Sequence, residues 1–199
     1  MARQRVTTTS DVVEAAAHVF ARKGYRSSTI DDICLEAGVS RPTIYKYVES
    51  KPWLLDQMVV LVTGELSERI GAILATADPP RDKIRQLVSM HVDLTTRMRG
   101  HYATVYSEQT ELSAATSAGF RTWSHAITQQ FAALIDDYAR SERLAPAADS
   151  TVLANLTLTM LTGLYRWHDP SGPTSPDDLA DQVLAMLSGP LPGLDRRDG

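Results

Sequence analysis

The sequence predicts an all-α fold, with a small three-helix N-terminal unit followed by a larger helical domain, about nine helices in total. Three observations carry this reading. Apolar residues recur at three- and four-residue spacing along nearly the whole chain, and sustained alternation of the strand type is missing. The periodic stretches are also punctuated by cap residues, glycines and prolines where helices should start and stop. With 199 residues, 43% apolar and 22% charged, the chain can bury a core in one or two domains, and disordered, collagenous and low-complexity classes are excluded.

Taken in order, Val12, Val13, Ala16, Val19 and Phe20 form a first stripe. It is entered at Thr9, Ser10 and Asp11, with Glu14 three residues after Asp11, and closed by Lys23 and Gly24. Thr29 and Asp32 have capping-box spacing for a second helix that carries Ile30, Ile33, Cys34 and Ala37 and stops at Gly38. Ser40 can cap a third, very short helix through Arg41 to Tyr47. Ser50, Lys51 and Pro52 open a long fourth helix from Leu54 to Leu74, since proline is tolerated in a first helical turn. Asp78-Pro79-Pro80 breaks it. Ile84 to Met98 makes a fifth helix ending at Gly100, and Tyr102 to Leu112 a shorter sixth. A strong stripe runs from Phe120 to Tyr138. The segment from Val152 to Trp167 is apolar on more than one face and must be buried on more than one side. Ser175-Pro176-Asp177-Asp178 starts the last helix, which Gly189 and Pro190 stop, and the tail to Gly199 should fray.

The single cysteine, Cys34, excludes an internal disulfide framework and any multi-cysteine metal site, fits a reducing cytoplasm, and suits a small buried apolar role. The N-terminus lacks the apolar stretch of a secretory signal, and no window approaches eighteen uninterrupted apolar residues, so a soluble cytoplasmic protein without a membrane partner is expected. The net charge of −4 argues at first against nucleic acid. Residues 1–52, however, hold eight Lys or Arg and six Asp or Glu, a net of +2, whereas residues 53–199 carry a net of −6. The acidity belongs to the second domain.

The two short helices flanking Gly38-Val39-Ser40 have the tight glycine-containing turn of a helix-turn-helix, whose second helix enters the major groove. Val39 plugs the two helices together. The composition of the third helix strengthens this: Arg41, Pro42, Thr43, Tyr45, Lys46 and Tyr47 surround one aliphatic residue, Ile44. Arginine can bond guanine bidentately, a threonine methyl can touch thymine, and lysine and tyrosine reach phosphates. Arg3 and Arg5, ahead of the first helix, have the composition of an arm that contacts phosphates or the minor groove, and equally of a free tail.

The stretch STIDDICLEAGVSRPTIYKYVESKPWLLDQM resembles the DNA-binding domain of the TetR family of bacterial transcriptional repressors. Thr29, Ile33, Ala37, Gly38, Val39, Ser40, Thr43, Ile44, Tyr45, Tyr47 and Lys51 match that family's pattern, and Phe20, Gly24 and Tyr25 fit the part before it. Val48, where most members carry phenylalanine, and Pro52 depart from the pattern. The resemblance implies that Thr29 and Lys51 hold phosphates and that Arg41, Pro42, Thr43, Tyr45 and Lys46 face the groove. Ser40 and Tyr47 complete the DNA-binding set, with Tyr47 ranked lower because it can pack against the fourth helix.

It further implies a DNA-binding domain over residues 1–52 and a ligand-binding and dimerisation domain over 53–199. A homodimer on a palindromic operator is expected, with the last two helices as its interface unless their apolar faces fill only their own core. The remaining helices should enclose a small hydrophobic effector. Its candidate lining residues combine apolar bulk with a polar handle: Tyr102, Tyr106, Trp123, His125, Tyr165, Arg166 and Trp167. The segment LYRWHDPSGPTSPDDLADQVLAMLSG resembles the C-terminal part of members that regulate fatty-acid or steroid degradation, which points to an acyl-coenzyme A thioester, with Arg166 pairing to a phosphate or carboxylate. The expected mechanism is release of a repressor: effector binding shifts the fourth helix and alters the separation of the recognition helices.

Two readings from other classes stay open on the residues alone. One is a helical protein-interaction module that no longer touches DNA. The other is a metal-dependent enzyme assembled in space from His91, His101, His125 and His168, although no nucleophile elbow, Walker loop, dinucleotide fingerprint or HExxH pair occurs and no cofactor is implied.

Overall fold

The computed structural model describes residues 8–145 and 148–195. Among them are nine α-helices, two short 3-10 turns and no strand. The helices are α1 (Thr9–Lys23), α2 (Ile30–Ala37), α3 (Arg41–Ile44), α4 (Lys51–Leu74), α5 (Pro80–Arg97), α6 (Arg99–Ser107), α7 (Ala114–Ser141), α8 (Ser150–Gly163) and α9 (Pro176–Leu187). The chain divides into two compact units, Met1–Gly64 with Gly100–Phe120, and Glu65–Arg99 with Arg121–Gly199.

In the first unit α1 packs chiefly on α2. Val12, Val19 and Phe20 of α1 and Ile33, Cys34 and Ala37 of α2 are buried, each large aliphatic contributing about 1.5–3 kcal/mol relative to exposure. The cap of α1 is Thr8, one residue before the expected entry: its hydroxyl accepts the Asp11 N–H at 3.2 Å and Asp11 returns the bond to the Thr8 N–H at 3.0 Å. The reciprocal pair is therefore Thr8 with Asp11, not Asp11 with Glu14, because the helix begins at Thr9 and the cap bonds forward to the N–H three residues on while that residue's side chain reaches back. Gly24 closes the helix with φ 79° and its N–H on the Phe20 carbonyl.

Glu14 instead serves α6. His101, buried on α6, places Nε2 3.2 Å from the Glu14 carboxylate, and this contact holds Glu14 below the usual carboxylate range. Gly100 corrects another expectation. It does not end a helix; α5 stops at Arg97, Met98 leaves helical geometry, and Gly100 lies in the first turn of α6. A Cβ there would stand 3.3 Å from the Ala21 Cβ, so glycine permits close approach of α6 to α1. Helix α6 ends at Ser107, earlier than the expected Leu112, and a 3-10 turn covers Gln109–Glu111.

In the second unit α5 packs on α9 and α8. Leu179, Val183, Leu184 and Leu187 make the buried stripe of α9, whose entry is capped by Ser175 as the sequence predicts. Tyr138 is fully buried, its hydroxyl donating to the Pro192 carbonyl at 2.9 Å, and Arg85 donates to the Leu194 carbonyl at 2.8 Å. These two bonds seat the segment after α9. Helix α8 runs only to Gly163 and passes into a 3-10 turn at Leu164–Arg166, so it does not reach Trp167. It is apolar on more than one face, but within the single chain it is not buried on more than one side as expected: Ala154, Thr157 and Leu161 are buried, while Val152 and Leu156 lie exposed, as does Met186 of α9.

Candidate functional site

The turn between α2 and α3 forms because Gly38 takes the left-handed conformation, φ 70° and ψ 28°, which a side chain disfavours. Its N–H and that of Val39 both satisfy the Cys34 carbonyl. Thr29 caps α2 in a full capping box with Asp32, and Asp32 also pairs with Lys23. The Lys23 contact first, and then the two bonds from Thr29, hold the Asp32 carboxyl down to about 2.

Helix α3 is shorter than expected. Regular α geometry covers Arg41–Ile44, and the chain continues through Tyr47 as a turn in which the Lys46 and Tyr47 N–H groups bond carbonyls three residues back. Ser40 precedes α3 without a side-chain cap bond; its hydroxyl lies 2.8 Å from that of Thr43. Ile44 is fully buried and anchors the element. Around it Ser40, Arg41, Pro42, Tyr45 and Lys46 are exposed, and Thr43 and Tyr47 are half-buried. Arg41 donates Nη1 to the Asp31 carboxylate at 3.1 Å, and a bond with Tyr45, followed by the charge of Asp31, raises its pKa.

Lys51 is placed differently from the other basic residues of the set. Its ammonium donates to the carbonyls of Ser28 at 2.7 Å and Arg26 at 3.3 Å and lies 4.5 Å from the centroid of the Tyr25 ring. Burial pushes its pKa down, against the opposing charges of Glu108, Glu111 and Asp32. In this state the residue ties the head of α4 to the loop before α2. Arg26 pairs with Glu111 at 3.0 Å, so α6 and the turn after it are also fastened to that loop. Arg3 and Arg5 lie outside the described residues.

The second unit contains an apolar cleft with about 370 Å³ of space, part of it open to solvent, between α4, α5, α7 and α8. Ile70, Leu87, Phe131 and Leu161 line it, with His91 and Gln130 as its polar groups. His91 is 5% exposed, and burial pushes its pKa down to about 4, so it is neutral near pH 7.

None of the seven residues expected to hold an effector lines this cleft. Tyr102 is fully buried in the first unit, stacked on Tyr106, which meets Phe120 edge-on at 5.7 Å. Trp123 donates Nε1 to the Ser67 hydroxyl at 2.8 Å. His125 is exposed, Tyr165 is half-buried and hydrogen-bonded to the exposed Arg166, and Trp167 is 65% exposed. The cleft is built chiefly of aliphatic side chains, and its histidine, His91, is visible in the sequence as a lone histidine inside the apolar stripe of α5. Among the described residues no three His, Cys, Asp or Glu side chains gather as a metal ion needs, and no helix is long and apolar enough to cross a membrane.

Comparison with known proteins gives two family matches. Residues 12–58 match the family of bacterial regulatory proteins of the tetR type, and residues 77–191 match the tetracyclin repressor-like C-terminal domain. The transcriptional repressor KstR2 of Mycolicibacterium smegmatis is 21% identical over 187 residues, covering 94% of this chain and 91% of that one. Among solved structures, the ketosteroid regulator KstR2 of Mycobacterium tuberculosis superimposes with a TM-score of 0.83 at 20% identity, covering 94% of this chain and 96% of that one. AibR in complex with isovaleryl coenzyme A and operator DNA superimposes with a TM-score of 0.78 at 20% identity, covering 92% and 98%. The chain belongs to the TetR family of bacterial transcriptional regulators, which are DNA-binding proteins and not enzymes.

Proposed function

We propose that this protein is a cytoplasmic repressor that binds a palindromic operator as a homodimer and is released by a small hydrophobic effector, an acyl-coenzyme A thioester. The observation that carries the reading is the polarity of α3: one buried aliphatic, Ile44, holds a short element whose exposed face is Arg41, Pro42, Tyr45 and Lys46. Together with Ser40, Thr43 and Tyr47 these residues are the groove-facing set, with Arg41 reading a base edge and Tyr45 and Lys46 reaching phosphates. Thr29 stands at the head of α2, where free backbone N–H groups favour a phosphate oxygen. Lys51 contributes positive charge at the adjacent backbone while bracing the head of α4. In this reading residues 1–52 bind DNA and residues 53–199 bind effector and partner, with α4 continuing from one to the other.

Val152 and Leu156 of α8 and Met186 of α9 are the apolar side chains offered to a second copy, so that two recognition elements stand about one DNA turn, roughly 34 Å, apart. The effector's acyl part suits the apolar cleft. Neutral His91 and Gln130 can bond a carbonyl there but cannot neutralise a full charge, so the charged part of the thioester stays outside the cleft, with the exposed Arg166 as the candidate to pair with it. That AibR is solved with isovaleryl coenzyme A supports this class.

The test is selection of binding sites from random duplex DNA, followed by titration of the selected site with isovaleryl-coenzyme A and longer thioesters. A palindrome should be enriched and saturating thioester should weaken its binding at least tenfold. No enriched palindrome would leave a protein-interaction module, and unchanged operator affinity in every saturating thioester would remove the effector class. Leu156→Glu should give a folded monomer that binds the operator poorly.

A further inference from the structure

The Asp31 carboxylate is out of place on a DNA-reading surface. It lies on the first turn of α2, its side chain 64% exposed, on the element that precedes the recognition turn. An anion there repels the phosphate backbone and lowers affinity for every sequence alike. Its partner gives it a purpose. Asp31 Oδ2 accepts from Arg41 Nη1 at 3.1 Å, across ten residues and the whole turn.

The pair does little for folding, because both side chains are more than half exposed and such ion pairs are worth little in water. Its effect is on direction. A guanidinium has five N–H donors in one plane. One taken by Asp31 leaves the others for a base edge, and tethering the group of α3 to the head of α2 restricts how that plane can turn. A fixed fork bonds the O6 and N7 acceptors of a guanine, whereas a loose arginine turns as readily to the nearest phosphate.

We propose that Asp31 is the specificity-determining positioning residue of the DNA interface: it aims the Arg41 guanidinium at one guanine in each half-site and keeps that group off the phosphates. This rests on the reading of α3 as the DNA-contacting element. It makes opposite predictions for affinity and for discrimination, which neither a structural residue nor a neutral surface position would do.

The experiment measures dissociation constants of wild type, Asp31→Asn, Arg41→Ala and the double variant. The probes are the selected operator, its single-base-pair variants and unrelated duplex DNA, each at several salt concentrations. Asp31→Asn should bind unrelated DNA about three- to tenfold tighter, with a salt slope steeper by about 0.9 as the released Arg41 takes a phosphate. Discrimination at one guanine per half-site should fall about tenfold while every other position keeps its preference. Arg41→Ala should lose that same preference, and adding Asp31→Asn to it should change affinity without changing any base preference. Asp31→Glu, which keeps the charge, should retain discrimination.

Uniform tightening across all sequences would reduce Asp31 to a surface charge and overturn the proposal. So would uniform weakening together with a lower melting temperature, which would make it structural. If wild type enriches a palindrome but Arg41→Ala keeps the full base profile, this proposal alone fails. If wild type enriches none, the assignment of α3 fails with it.

Discussion

The two units carry their candidate sites in opposite materials. The surface around α3 is made of exposed polar and aromatic side chains from one continuous stretch, held by a single buried isoleucine. The cleft of the second unit is made of ordinary core aliphatics from four helices, with one neutral histidine among them. A site of the first kind shows itself as residues a core would not use. A site of the second kind is a gap in a core, and each of its residues looks like packing.

Matched truncations should break this contrast most forcefully. Ile44→Ala removes the only buried side chain of α3 and should cost about 2–5 kcal/mol, with operator binding lost as the element detaches. Thermal unfolding and operator titration of the same sample would check it. Leu161→Ala, also at a buried position, should cost a similar amount but act on the other site: the enlarged cleft should shift effector preference toward bulkier acyl groups while operator binding survives.

The histidine separates the units by pH. His91 has its pKa depressed to about 4 by burial, below the ordinary value of 6.5. Between these values the unfolded chain binds a proton that the folded chain excludes, so stability falls as pH drops from 6.5 toward 4, by up to about 3 kcal/mol. Urea titrations across that window should show the slope, and His91→Leu should flatten it.

Smaller effects belong to the reading unit. Lys51→Met deletes the charged donor to the Ser28 and Arg26 carbonyls and should cost about 1.5–3 kcal/mol as well as weakening operator binding. A variant with unchanged melting temperature would show that the ammonium acts on DNA alone. Gly38→Ala, at φ 70°, should cost about 1–2 kcal/mol and be visible in denaturant midpoints.

Much of the fold was legible because its signals are local. The caps at Thr29 and Ser175, the stop at Gly38 and the breaks around Pro79 and Pro80 each depend on residues within one turn of each other. The misreadings follow the same logic in reverse. Gly100 resembles a terminator until Ala21 is seen facing it. That the Lys51 ammonium also bonds two backbone carbonyls before α2 is invisible in the sequence, because those partners lie more than twenty residues away.

By itself the sequence determined the helical class, the positions of most helices, the helix-turn-helix and the unusual polarity of α3. These follow from backbone capping, glycine conformation and side-chain periodicity, which act over a few residues. Only the tertiary structure decided that α6 joins the first unit, that Asp31 holds Arg41, and that Ile70, His91, Phe131 and Leu161 enclose a common space. Those outcomes depend on desolvation, close approach and charge pairing between residues far apart in the chain, and such forces are set by what lies opposite a side chain, whatever its neighbours in sequence.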